Sequence, residues 1–238
     1  MTALSLVQSV AAKLGLTIPG AVFASTDPAI VQLRTLMNEE SGILARGGEG
    51  FDHNWTVLTA EKTFTTVATA IQTSAVATDF GWYIDETMWN RSIRWPCAGP
   101  MTPQQWQNVQ AVPTGSIRPN FRFIGTTLEI YPTPAAGKTI AYEYVSKYWA
   151  AVTGSTTGSL TAMTADTDAA LIEERLIELG VRWRYLKAKG LDYSEDYRTY
   201  QIEVGKAISR DGGRRTQSLS GTPPPRYRGN LPEAFWST

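Results

Sequence analysis

Residues 172–213 read IEERLIELGVRWRYLKAKGLDYSEDYRTYQIEVGKAISRDGG, and this stretch decides the fold. Ile172, Leu176, Leu179, Trp183 and Leu186 recur at three- and four-residue steps, which places them on one helix face that stops at Gly190. Tyr193, Tyr197, Tyr200, Val204 and Ile208 repeat the pattern up to Gly212-Gly213. The joint Lys189-Gly190-Leu191-Asp192 is too short for anything but an antiparallel helical hairpin. Each helix has a single apolar stripe, so the pair needs further apolar surface to cover it.

The opposite end of the chain supplies that surface. Over residues 3–14, Ala3, Val7, Val10 and Leu14 fall at helical spacing and Gly15 follows as a C-terminal cap. A second helix opens with Asp27 as N-cap and Pro28 at its first position, and Gly47-Gly48 ends it. Its stripe is Ile30, Leu33, Met37 and Leu44. Glu40 lies on the same stripe, so it is either paired inside an interface or marks where the helix leaves the core.

Between these helical pairs the period changes. Phe121-Arg122-Phe123-Ile124 and Thr127-Leu128-Glu129-Ile130-Tyr131 flank Gly125-Thr126, a two-residue hairpin turn. Ile140, Tyr142 and Tyr144 alternate with Ala141, Glu143 and Val145 as in a strand, and residues 62–67 and 82–88 are further strand candidates. One helix interrupts the region, with Thr102 as cap, Pro103 at its start and Trp106 as apolar anchor. Residues 151–167 are rich in Ser, Thr, Gly and Ala and read as a flexible connection. The expected fold is therefore α+β. Residues 1–48 and 168–211 form the two halves of an antiparallel α-helical bundle, 49–150 an inserted β-rich domain, and 212–238 an extended C-terminal arm.

The arm has no helical or strand periodicity, and Pro223-Pro224-Pro225 fixes φ and removes three amide donors. It carries Arg214, Arg215, Arg226 and Arg228 against Glu233 alone, so residues 212–238 are +3 and residues 1–211 are −3 in a chain of zero net charge. Too little apolar surface is present for it to fold by itself. Its arginines and aromatics are of the kinds that anchor interfaces. Arg214, Arg215, Arg226, Tyr227, Arg228, Phe235 and Trp236 are the candidate partner-binding residues, with the terminal aromatics in apolar pockets of a partner.

The charge balance argues against a dedicated nucleic-acid binder, whose folded domain would be basic. Cys97 is the single cysteine, which excludes an intramolecular disulfide and a Cys-rich metal site and suits a buried small apolar residue. The first residues lack a signal-peptide pattern, and no apolar run approaches the ~20 residues of a membrane span. A soluble protein of a reducing cytoplasm is expected. With His53 as the only histidine, His-based triads and His-rich metal sites are excluded, and His53 in its polar turn is read as structural. Neither a GxGxxG nor a Walker-type loop occurs. Glu39-Glu40, Glu173-Glu174 and Asp192/Glu195/Asp196 could pair as carboxylates, but each sits on a helix's polar face or first turn, where a solvated acid is ordinary. Arg182, Arg184, Lys187 and Lys189 precede Gly190 and are read as complementing a helix C-terminus. No enzymatic activity, cofactor or metal is expected. Eight Trp, ten Tyr and seven Phe exceed what a small β-domain buries, which points to subunit contacts.

Several stretches carry a resemblance. They are Glu86-Thr87-Met88-Trp89-Asn90-Arg91-Ser92, Gly99-Pro100-Met101-Thr102-Pro103-Gln104-Gln105-Trp106, Tyr144-Val145-Ser146-Lys147, Trp183-Arg184-Tyr185-Leu186-Lys187-Ala188-Lys189-Gly190-Leu191-Asp192-Tyr193, and Ala207-Ile208-Ser209-Arg210-Asp211-Gly212-Gly213. Together they resemble the head–tail adaptor (tail tubular protein A-like) proteins of short-tailed bacteriophages. The resemblance runs over most of the chain and implies a ring, typically of twelve copies, beneath the portal protein in the virion. That ring would be assembled in the bacterial host cytoplasm, continue the channel for duplex DNA without sequence-specific binding, and dock the tail nozzle protein. In such adaptors the helices build the ring, the β-domain meets tail components and the arm reaches the portal. The alternative class is a β-rich protein- or carbohydrate-binding module with a helical collar.

Overall fold

A computed structural model describes residues 1–48, 50–51, 53–111 and 118–212, and it is mixed α+β, with five α-helices among the described residues and antiparallel sheets. In chain order the elements are α1 (Ala3–Lys13), α2 (Pro28–Ala45), a single 3-10 turn (Thr56–Leu58), β1 (Thr59–Thr65), β2 (Ile71–Gln72), β3 (Phe80–Tyr83), β4 (Trp89–Asn90) and β5 (Trp95–Pro96). They continue as α3 (Pro103–Ala111), β6 (Asn120–Ile124), β7 (Thr127–Tyr131), β8 (Thr139–Ser146), β9 (Ala150–Ala151), β10 (Ala169–Ala170), α4 (Glu174–Ala188) and α5 (Ser194–Arg210). The expected arm residues Arg214, Arg215, Arg226, Tyr227, Arg228, Phe235 and Trp236 lie outside the described residues.

Local chemistry sets the helix ends. The Thr2 hydroxyl accepts from the Ser5 amide, and the Ser5 hydroxyl in turn accepts from the Thr2 amide, so both orphan donors at the start of α1 are satisfied. Asp27 caps α2 through the Ala29 amide at 2.8 Å, with Pro28 pre-set for the first turn. Thr102 and Gln105 exchange bonds in the same manner ahead of Trp106 in α3. At the other end of α4, Gly190 takes a left-handed φ of 70°, which lets the Leu191 amide reach back to the Leu186 carbonyl.

Helices from the two ends of the sequence share one core. Leu6, Val7 and Val10 of α1, Ile30, Leu33 and Met37 of α2, Leu176, Ile177 and Trp183 of α4, and Tyr200 and Val204 of α5 are all buried in it. α4 lies against α1, α2 and α5, so it is buried well beyond the single stripe its spacing indicates, with Ile177, Glu178, Gly180 and Val181 covered as well.

The second core lies among the strands. β1, β8, β4 and β5 follow one another in a sheet, and β3 also pairs with β8. A three-stranded sheet, β2-β7-β6, faces it through Phe121, Leu128 and Ile130, against Ile140, Tyr142 and Tyr144 of β8. β8 belongs to both cores, since Val145 packs into the helical one. The Gly125-Thr126 hairpin forms with Ile124 opposite Thr127, as its spacing implies.

Three expectations need correction. Residues 82–88 are not one strand: β3 stops at Tyr83, Glu86 takes φ 66°, and the chain rejoins β8 only as β4. The Tyr83 hydroxyl accepts from the Thr87 and Met88 amides and holds the excursion, so the amides lost from the ladder are satisfied. The strand expected at 62–67 runs instead over Thr59–Thr65, in unbroken register with β8. Finally, residues 151–167, expected as a flexible connection, brace the N-terminal helices over their second half. Asp166 accepts from the Val22 and Phe23 amides at 2.9 and 3.0 Å. Met163 is buried and exchanges two hydrogen bonds with Asn38 of α2.

Candidate functional site

Asp211 and Gly212 are the last described residues. Asp211 Oδ2 accepts from His53 Nε2 at 2.7 Å and from the Thr56 amide at 2.9 Å, while Oδ1 accepts from the Thr56 hydroxyl. The His53 ring stands edge-on to Trp55 at 5.0 Å, and the Trp55 indole donates to the Leu44 carbonyl at 2.6 Å. One carboxylate thus ties the end of α5 to the entry of β1, and through Trp55 to the end of α2. His53 has the structural role its polar turn indicates.

Partial burial works to raise the Asp211 carboxyl. The Thr56 hydroxyl and amide and the His53 ring outweigh it and hold the group below the ordinary carboxylate value. A depressed folded-state value means stability that is present above the unfolded-state value and lost as pH falls through the folded one. Asp211→Asn is therefore expected to destabilise the protein at pH 6, and the deficit should begin to shrink below about pH 4, the ordinary aspartate value, and vanish once pH has passed through the lowered folded value. Urea midpoints at several pH values measure it. A deficit that stays constant into acid would remove the charge from the account.

The acidic groups singled out in the sequence are each engaged separately. Glu40 is fully buried and pairs with Arg184 Nε at 2.5 Å, and Arg184 also reaches Glu39 at 3.4 Å. Glu173 meets Arg210 at 3.6 Å, and Asp196 meets Arg182 at 3.2 Å. Asp192 accepts from the Ser194 amide and hydroxyl, while Glu195 faces Arg198 at 3.9 Å. The structure brings none of the three groups together as a facing carboxylate pair. The basic stretch also reads differently. The Arg184 guanidinium lies 4.5 Å from the Trp183 ring, Lys187 5.5 Å from the same ring, and Lys189 5.2 Å from Tyr185. All three stack on aromatics; Arg184 also pairs with Glu39 and Glu40 of α2, as Arg182 does with Asp196 of α5, while Lys187 lies in the last turn of α4, where it complements the helix dipole.

Burial holds two titratable groups elsewhere in their neutral forms. Burial pushes the Cys97 thiol up to about 12, which leaves no thiolate for attack or ligation near neutral pH. Burial likewise raises the Tyr144 hydroxyl to about 12, and it donates to Asp79 at 2.8 Å. Among the described residues no group of three or more His, Cys, Asp or Glu could hold a metal ion, and no helix is long and apolar enough to cross a membrane.

Two surface hollows lie beside the sheet of β1, β8 and β4. A groove of about 440 Å³ runs between α2 and the end of β8, with Asn38, Ile43 and Arg46 on one wall and Trp82, Lys147 and Trp149 on the other. The second, about 350 Å³, lies on the outer face of the β1–β8–β4 sheet beside Trp89 and holds Glu61, Glu86 and Glu143. Glu61 and Glu143 are direct cross-strand partners, an arrangement that costs energy. Arg91 at 2.7 Å neutralises only Glu61 of the two. Sequence reasoning missed this pair because a face can be read from one strand, whereas a cross-strand partner needs the register of two. No protein-family model matches this chain, and no curated protein matches it significantly.

Proposed function

We propose that this chain is a structural head–tail adaptor of a short-tailed bacteriophage. It would form a ring, of about twelve copies by resemblance to that family, beneath the portal in the virion, with no catalytic role. The observation that carries the reading is the sharing of one core by α1, α2, α4 and α5, from opposite ends of the sequence, with the strands of residues 59–146 between them. This order of helices, strands, helices and basic-aromatic segment matches the plan the resemblance implies. In this reading the four helices form an antiparallel bundle that packs side by side around the channel. The β-rich part faces the tail nozzle, and residues 212–238 reach the portal. A body of net charge −3 suits a channel through which duplex DNA slides without being gripped.

Aromatic placement favours this over a carbohydrate-binding module. Trp55, Trp106, Trp149 and Trp183 are core residues, and Trp106 is covered by the Arg122 guanidinium at 4.4 Å, which leaves Trp82, Trp89 and Trp95 as the described tryptophans whose rings a sugar could reach. Head-to-tail contacts close into a ring when the rotation fits. Native mass measurement or electron microscopy of the protein with portal rings is expected to give one adaptor per portal subunit. One or two copies per portal ring would overturn the reading.

A further inference from the structure

The groove between α2 and the end of β8 holds cations without acids. Lys13, Arg91, Arg122, Arg182, Arg184 and Arg210 each have a carboxylate partner. Arg46 and Lys147, exposed on the two walls of the groove, have none among the described residues. The Lys147 ammonium lies 5.4 Å from the Tyr148 ring. Glu39, the one acid lining the groove among the described residues, faces Arg184 at 3.4 Å. In a body of net charge −3 the two cations make a local reversal of the field, and a field of that sign draws carboxylates.

Shape and hydrogen bonding narrow what the groove can hold. Its volume of about 440 Å³ is that of a ligand site. Gly42 of α2 lines it, and an added Cβ there would meet nothing within 4 Å, so the groove is open down to the helix backbone. Ile43 lies beside Gly42, and Trp82 forms the opposite wall, its indole fixed by a bond from Nε1 to Asn54 Oδ1 at 2.9 Å. The Asn38 amide is spent on the Met163 N–H and C=O, and the Ser146 hydroxyl accepts from the Tyr148 amide. What the groove offers is depth, an aromatic wall and positive charge, with few free groups of the kind that orient a sugar or a base.

We propose that this groove binds a short acidic–aromatic segment of a partner protein, its carboxylates meeting Arg46 and Lys147 and a ring laid over Gly42 against Trp82. Ring pairing and charge-assisted hydrogen bonds to carboxylate are the contacts that such a wall and such cations make. Nucleic acid also combines anions with rings, but a body of net charge −3 repels the phosphates that extend beyond the groove. The proposal does not rest on the ring.

Isothermal titration calorimetry of the full-length chain with the acetylated and amidated peptide Gly-Glu-Phe-Asp-Phe-Gly tests it. Saturable binding is expected at ~0.15 M salt, a physiological ionic strength. The counterpart Gly-Gln-Phe-Asn-Phe-Gly should bind about tenfold more weakly, the scale of a hydrogen bond to a charged group. Arg46→Glu/Lys147→Glu should cost the acidic peptide a similar factor and leave the neutral one little changed. Gly42→Leu should fill the groove and abolish binding while folding at least as well as the wild type, since leucine suits a helix better than glycine and its Cβ meets no atom. Wild-type affinity in either variant, equal affinity for the two peptides, or no saturable binding to the wild type at millimolar peptide overturns the proposal. So does tighter binding of a hexathymidine oligonucleotide than of the acidic peptide, which would assign the groove to single-stranded nucleic acid.

Discussion

Gly180→Ala is expected to destabilise the protein by about 3 kcal/mol or more, the scale on which a disrupted buried ion pair is felt. A Cβ at this position of α4 would overlap Glu40 at Cγ, Cδ and Oε1. Glu40 is fully buried and cannot swing into solvent, so it yields only by leaving Arg184. Alanine's higher helix propensity returns about 1 kcal/mol and loses that contest. The same logic makes the effect conditional. In a Glu40→Ala background the obstruction is gone, and Gly180→Ala should become neutral or slightly stabilising. Urea unfolding of the four proteins of this cycle measures the coupling. Equal losses in both backgrounds would show that Gly180 serves backbone geometry rather than the approach of α2.

Trp183→Ala carries the second large expectation, about 3–5 kcal/mol, or roughly 10 °C in Tm for a chain of this size. The indole is buried between the terminal helices, 4.9 Å from the Tyr197 ring and 6.1 Å from that of Tyr200, with Arg184 over one face. Its Nε1 has no hydrogen-bond partner among the described residues, so the loss is one of packing. Trp183→Phe should accordingly keep most of the stability. A phenylalanine variant as damaged as the alanine one would place the contribution in the indole N–H instead.

Both sites show what a sequence discloses and what it withholds. Glu40 stands out because an acid on an apolar stripe violates the helical pattern, and pairing inside an interface was one of two readings open to it. Its partner could not be read, since Arg184 lies on a helix 144 residues away and its neighbours made an ordinary C-terminal basic cluster. Gly180 carried no signal, because a glycine inside a helix is identical on paper whether it relieves a contact or not. Elements governed by local rules were legible: Asp27-Pro28, Thr102-Pro103, Gly125-Thr126 and Gly190 each mark a boundary through their own backbone chemistry. The interruption at Glu86 and the bracing by Asp166 were not: the first is held by the Tyr83 hydroxyl, a side-chain contact no periodicity records, and the second by the distant amides of Val22 and Phe23. The acidic face is the same case, with Glu61 and Glu143 each unremarkable in its own strand.

The core shared by both ends of the chain also has a consequence for synthesis. α2 is complete at Ala45, but the helix it packs on does not begin until Glu174. At ~5–20 residues per second a ribosome needs on the order of ten seconds to cover that interval. Through that time Ile30, Leu33 and Met37 have no α4 to cover them, while the strands of residues 59–146, whose own core needs neither α4 nor α5, emerge in full. The nascent chain is therefore driven to close its middle first and its two ends last, and a cellular holdase would find its best target in the first helical pair.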